Sequence, residues 1–198
     1  SSSGFAYGLS VADRFVVSGE SRNALVIGAE TLSRLSGSQV GAEGPATLFA
    51  DGAGAVFIEP AESVGLIGCR LGSNTSSDGI AADQVLQIPC IADLDVSLND
   101  MRNAVVSILT EQGLKTGDID WLIPHQSSFE IIERTADSLG ISRDKTVLTL
   151  AEQGNTGAAS VPIALDIAVE DGRIKRGDLL LLETIGGGFT WGSALVRF

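Results

Sequence analysis

The sequence predicts an α/β fold that contains an internal repeat, and three observations predict it. Short apolar runs alternate with stretches of helical period along the 198 residues. Glycine stands where the helical patterns stop, at Gly19, Gly113, Gly140 and Gly172. Two stretches share one order of elements. Ser2 to Gly28 and Asn155 to Glu183 each run polar turn, helix, glycine, basic residue, strand, and a glycine-rich strand follows each.

Phe5, Leu9, Ala12, Phe15 and Val16 recur at helical spacing up to Gly19. Asn23 to Gly28 reads as a buried strand, Ser36 to Pro45 as a loop, and Thr47 to Pro60 as a strand. Leu66 to Leu71 is a further strand, and residues 73–97 read as polar and irregular. Leu98, Met101, Val105, Ile108 and Leu109 mark an amphipathic helix. Then come a strand at Trp121-Leu122-Ile123, a helix from Ser127 to Leu139, and a strand from Thr146 to Leu150. A helix through Val161, Leu165 and Val169 follows, then strands Leu179–Glu183 and Ser193–Phe198 flanking Gly186-Gly187-Gly188. Aligning Gly19 with Gly172, a shift of 153, places Ser2 on Asn155. A duplication of this kind puts the two helix starts at equivalent points about a pseudo-twofold axis, with position 2 near Asn155.

Charge excludes several partners. Thirteen Lys and Arg stand against 25 Asp and Glu, a net −12, which argues against nucleic acid and anionic membranes. Apolar runs fall far short of the roughly 20 residues of a membrane span, and no basic-then-apolar leader precedes them. A cytoplasmic protein is the expectation. Cys69 and Cys90 are too few for a disulfide frame and read as reduced thiols. No Cys/His spacing suits a metal. Gly52 and Gly54 lack the third glycine of a dinucleotide fingerprint and read as close-packing positions. Ser1-Ser2-Ser3-Gly4-Phe5 has no initiator Met, as expected of the interior of a longer chain or of a tag joined to a fragment.

The chemistry concentrates at the only histidine. His125 ends an apolar strand in Ile123-Pro124-His125-Gln126, and thirty residues on comes Gln153-Gly154-Asn155-Thr156-Gly157. Carboxyl ends of strands collect ligands in α/β proteins. A His and an Asn at two such ends can hydrogen-bond one developing oxyanion. Read alone, His125 also fits a structural histidine, and Asn155 a helix cap.

Five motifs then carry a resemblance. Ser3-Gly4-Phe5-Ala6-Tyr7-Gly8-Leu9, Asp51-Gly52-Ala53-Gly54-Ala55, Pro124-His125-Gln126, Gly154-Asn155-Thr156 and the ending Gly186-Gly187-Gly188-Phe189-Thr190-Trp191-Gly192-Ser193 to Phe198 stand in the order found in β-ketoacyl-acyl-carrier-protein synthase III. The sequence resembles that family over nearly its whole length. The resemblance implies a thiolase-like fold of duplicated α/β halves, with residues 1–62 the end of the first half and 63–198 all of the second. Roughly the first third of a family member is then absent. It implies acyl transfer from acyl-CoA, then decarboxylative condensation with a malonyl thioester, and no metal or resident cofactor. By the same resemblance His125 and Asn155 are two members of a Cys-His-Asn triad. Ser2 occupies the nucleophile slot, and the Gly187 N–H helps form the acyl oxyanion hole. Acyl carrier protein, a homodimeric mate and a companion chain holding the missing third are the partners implied.

The sequence departs from the family at three places. Ser2 replaces the cysteine, as an engineered change, a natural serine or part of a tag. A serine there also fits an acyltransferase that forms no carbon–carbon bond, or a non-catalytic partner subunit. Residues 79–99 lack the Gly-containing helix with Phe and Lys that lines the family's substrate tunnel. Glu130 stands where a basic residue often meets the acidic carrier, which with the net charge weakens the carrier-protein case. Ser127-Ser128-Phe129-Glu130 also fits a capping box, Ser127 at N-cap and Glu130 at N3.

Overall fold

A computed structural model of the chain describes residues 2–36, 49–62, 65–73, 91–186 and 190–198. The elements run α1 (Gly4–Val17), β1 (Ala24–Thr31), α2 (Ser33–Ser36), β2 (Asp51–Ile58), β3 (Gly65–Ser73), α3 (Ile91–Glu111), β4 (Trp121–Pro124), α4 (Phe129–Leu139), α5 (Leu150–Gln153), α6 (Ser160–Glu170), β5 (Leu179–Gly186) and β6 (Thr190–Arg197). The strands form two sheets. β1 and β2 make an antiparallel ribbon. The second sheet has the order β3-β6-β5-β4, with β4 parallel to β5 and β6 antiparallel to both its neighbours.

Two apolar cores define the layers. Phe5 and Leu9 of α1 and Val161, Ala164 and Ala168 of α6 pack with Val26 of β1 and with Ile123, Leu180 and Leu182 of the larger sheet. The two helices therefore lie between the two sheets. On the outer face of the larger sheet, Leu122, Leu179, Leu181 and Leu195 meet Val105, Ile108 and Leu109 of α3 and Ala136 and Leu139 of α4. β5 is buried on both faces, which explains its unbroken leucine run.

The repeat has a structural counterpart. A 3₁₀ turn, Gly157–Ala159, leads directly into α6, so the helical stretch spans 157–170. The shift of 153 carries 4–17, the span of α1, onto it. Gly19 and Gly172, just past the two helix ends, share a φ of +78°. A strand and its antiparallel hairpin partner follow each, β1 with β2 and β5 with β6. Small residues let the layers close. A Cβ on Gly28 would lie 2.2 Å from the Ala158 carbonyl oxygen, and one on Gly52 2.9 Å from Ile163 and Thr156 side-chain atoms. One on Gly54 would lie 3.0 Å from Pro162. The close-packing reading of Gly52 and Gly54 is the one the structure supports.

Three expectations need correction. The helix expected from Leu98 begins at Ile91. Arg134 of α4 pairs with Asp95 in this added stretch, a contact between two helices that no local pattern shows. The strand expected over Thr146–Leu150 is reduced to an isolated bridge between Leu122 and Thr146. Beyond it the Thr149 and Leu150 N–H groups donate to the Gln126 side-chain oxygen instead of to a neighbouring strand. The N-cap of α4 is Ser128, not Ser127: its Oγ accepts the Ile131 N–H. Glu130 is therefore one residue short of a capping-box position and lies at 4.0 Å from Arg134 instead. The expected loop at Ser36–Pro45 and the start of the strand at Thr47 fall almost wholly outside the described residues, as do residues 74–90 with Cys90.

Candidate active site

β4 delivers His125. The ladder between β4 and β5 ends at Pro124 opposite Glu183, and the His125 N–H extends it by donating to the Glu183 carbonyl at 2.7 Å. The imidazole is buried. Burial pushes its pKa from 6.5 down to about 4, because the charged ring would lose its hydration. The ring is therefore neutral near pH 7, with one N–H donor and one bare nitrogen. Nδ1 lies 2.7 Å from the Ser160 hydroxyl.

The next residue fixes the surroundings. Gln126 is fully buried, and its amide makes four hydrogen bonds. Its NH₂ donates to the carbonyls of Pro124 and Val147, and its oxygen accepts from the N–H groups of Thr149 and Leu150. One side chain thus clamps the end of β4 to the segment that leads to Asn155.

Asn155 is also buried. Its backbone carbonyl accepts the Ala50 N–H at 2.9 Å, beside a bridge to Phe49. Its side-chain oxygen accepts the Gly157 N–H at 3.0 Å. That bond identifies the oxygen end of the amide and directs the NH₂ group elsewhere. Asn155 does not itself open a helix as the sequence suggested. The cap of the 3₁₀ turn before α6 is Thr156, and Asn155, one residue earlier, is tied to the start of that turn through its side-chain oxygen. Both polar side chains are tied to one helical start, Asn155 to Gly157 and His125 to Ser160.

Ser2 sits in the turn before α1 and is partly buried. The neighbouring Ser3 is buried, and its hydroxyl lies 2.6 Å from that of Thr190. Thr190 pairs with Gly186 at the end of β5 and with Ser73 at the end of β3. The start of α1 therefore meets the same end of the larger sheet that carries His125. Gly187 lies outside the described residues, between Gly186 and Thr190. A cleft of about 710 Å³ lined by Leu9, Val56, Phe198 and their neighbours contains none of these site residues.

Sequence reasoning missed three buried polar groups here. Ser160 and Gln126 hold the imidazole and its strand. Glu183 is the third, buried at the centre of the sheet and accepting from the Ser193 hydroxyl at 2.9 Å. Burial holds its carboxyl well above the usual range. A lone acid inside Leu179-Leu180-Leu181-Leu182-Glu183-Thr184-Ile185 was a legible signal. Cys69 is half-buried and not in a disulfide, and desolvation pushes its thiol up, the opposite of the activation that a nucleophile needs. Among the described residues no group of His, Cys, Asp and Glu could hold a metal ion. No described helix is long and apolar enough to cross a membrane.

Known proteins match this chain in sequence and in fold. The family model described as 3-Oxoacyl-[acyl-carrier-protein (ACP)] synthase III matches residues 1–75, and its C-terminal counterpart matches residues 109–198. The β-ketoacyl-[acyl-carrier-protein] synthase III of Histophilus somni strain 129Pt is 44% identical over 205 residues, which are 98% of this chain and 64% of that protein. The protein of the same name from Thiobacillus denitrificans is 42% identical, with 99% and 64% covered. The crystal structure of 3-oxoacyl-[acyl-carrier-protein] synthase III from Aquifex aeolicus VF5 superposes with a TM-score of 0.86 at 37% identity, covering all of this chain and 65% of that one. Xanthomonas campestris OleA, solved with cerulenin bound, superposes at 0.80 with 26% identity, covering 98% and 60%. The chain spans about 64% of the length of the curated relatives it matches.

Proposed function

Because the chain belongs to the 3-oxoacyl-[acyl-carrier-protein] synthase III family, we propose that it is the larger part of a condensing enzyme. The enzyme moves an acyl group from acyl-CoA to position 2 and then joins it to a malonyl thioester. The observation that carries the reading is the neutral, buried His125 at the end of β4, tied to the same helical start as Asn155.

The nucleophile at position 2 attacks the thioester carbonyl of acyl-CoA. The C–S bond breaks, CoA leaves with the nucleophile's proton, and an acyl-enzyme remains. The N–H groups of position 2 and Gly187 receive the transient oxyanion. A malonyl thioester then binds with its thioester oxygen facing an N–H of His125 and the NH₂ of Asn155. The bond to its carboxylate breaks and CO₂ leaves. The electron pair enters an enolate whose oxygen the two donors stabilise. The enolate carbon attacks the acyl-enzyme, and the nucleophile departs with a proton, leaving a 3-oxoacyl thioester. A neutral imidazole suits this role. It stabilises an enolate as a donor without giving up a full proton.

Ser2 favours a second reading. A hydroxyl stays far from ionisation at neutral pH, so the helix start activates it less than a thiol. A family member of this kind transfers its acyl group to an alcohol or amine, or serves as a non-catalytic partner subunit. We further propose a division at residues 62 and 63, a homodimer, a cytoplasmic location, and docking of acyl carrier protein weakened by Glu130.

Intact mass and CO₂ release from a malonyl thioester test the proposal in the complete protein. With cysteine at position 2, His125→Ala abolishes decarboxylation and leaves acyl loading largely intact. With serine both steps fail together, since the hydroxyl needs the imidazole as base. Asn155→Ala lowers decarboxylation by about 10²–10³, the scale of one lost oxyanion donor. Unchanged rates of both steps in His125→Ala would make this histidine structural.

A further inference from the structure

Ser160 is the first residue of α6 and is buried beside the ring of His125. Its Oγ lies 2.7 Å from Nδ1 and 3.3 Å from the backbone nitrogen of Gln126. A serine hydroxyl has one proton to donate and two lone pairs to accept with. The Gln126 N–H can only donate, so Oγ accepts it. The contact with Nδ1 can run either way, and the hydroxyl proton decides which. If Nδ1 carries the ring proton, Oγ accepts both bonds, and its own O–H is left in a buried place. Among the described residues it then has no acceptor. If Nδ1 is bare, the O–H donates to it and all three groups are satisfied. Buried polar groups are paired in folded proteins, so the second arrangement is favoured.

We propose that Ser160 is a positioning residue that locks His125 in the tautomer with the proton on Nε2. The lock aims the ring's only N–H away from α6. The burial that keeps the ring neutral acts in the same direction, because an imidazolium would carry a proton on Nδ1 as well. Gln126 is the frame of the device. Its backbone sets the serine's acceptor side, and its side chain fixes the end of β4. The catalytic consequence rests on the function proposed above, whereas the tautomer does not.

His125 is the only histidine in the 198 residues, so ¹⁵N-histidine labelling of the full chain reports on one ring. Long-range ¹H–¹⁵N spectra near pH 7 distinguish a protonated from a bare nitrogen. The expected result is a bare Nδ1 and a protonated Nε2. Ser160→Ala should populate both tautomers, and Ser160→Thr, which keeps the hydroxyl, should restore one. A wild-type ring protonated on Nδ1 overturns the proposal even if Ser160→Ala fails to fold, and so does a Ser160→Ala ring identical to wild type. In the complete protein, Ser160→Ala should lower kcat for malonyl decarboxylation roughly two- to tenfold with KM unchanged, since the ring then shares its time between tautomers. Absence of decarboxylation in the wild type would sink the proposed reaction while leaving the tautomer lock standing.

Discussion

The β1–β2 ribbon and the β5–β6 hairpin have one design and opposite surroundings. Each follows a helix and a left-handed glycine, and each pairs antiparallel. β4 and β3 flank the hairpin, and α3 and α4 cover its outer face. Leu179, Leu181 and Leu195 are consequently wholly buried. In the ribbon, Val26 faces inward to the helices, while Leu25, Ile27 and Phe57 are about 60% exposed. The ribbon's apolar residues are as strand-like as the hairpin's. Burial on the outer face is conferred by neighbours, and the strands themselves supply only the pattern.

The largest expected effect would break the comparison. Leu181→Ala should cost about 2–5 kcal/mol, because it opens a cavity in a two-sided core. Ile27→Ala, in the uncovered face, should cost less than about 0.5 kcal/mol. Urea unfolding of both variants measures the difference. Equal losses would mean that the ribbon's outer face is covered in solution.

The second effect is electrostatic and belongs to the covered half. His125 titrates at 6.5 in an unfolded chain and at about 4 in the fold. Between those values the unfolded state binds the extra proton, so stability falls as pH drops through that window. The whole loss is about 3 kcal/mol at most. Glu183 acts in the opposite sense. Its raised pKa means that stability is lost as pH rises above 4.5, its ordinary value. Glu183→Gln removes this opposing effect. Unfolding of that variant at pH 7 and pH 5 should then show a net loss on acidification. A flat profile would place the imidazole in contact with water. Exposed Asp51 of the ribbon, whose pKa is lowered by hydrogen bonds from Ser33, has no comparable burial.

The smallest effect sharpens the equivalence. Gly19 and Gly172 have the same φ, and a Cβ on either would meet only open space. Alanine at each should therefore cost about 1 kcal/mol through backbone strain alone. Matching melting shifts would support one ancestral unit in two places. A cost at Gly172 and none at Gly19 would show the first helix end to be frayed.

Much of the architecture was legible because it is local. Period 3.6 marked α1, α4 and α6, apolar runs marked β1, β4 and β5, and glycines marked the helix ends. His125 and Asn155 stood out as polar islands after apolar runs. The errors came where a side chain replaced backbone pairing. Gln126 takes the N–H groups that a strand at Thr149 and Leu150 would have used. Ser128 instead of Ser127 caps α4, and which of two adjacent serines points at the helix is set by the entering backbone.

The sequence by itself determined the alternation of elements, the repeat, the family and the residue types able to stabilise an oxyanion, since each is written in spacing or motif. Only the tertiary structure decided which groups are dry and what holds them. Neutral His125, the raised carboxyl of Glu183 and the hydroxyl of Ser160 are products of burial between layers. Desolvation and hydrogen-bond completion depend on neighbours 35 residues away along the chain, as from His125 to Ser160, and no local pattern encodes them.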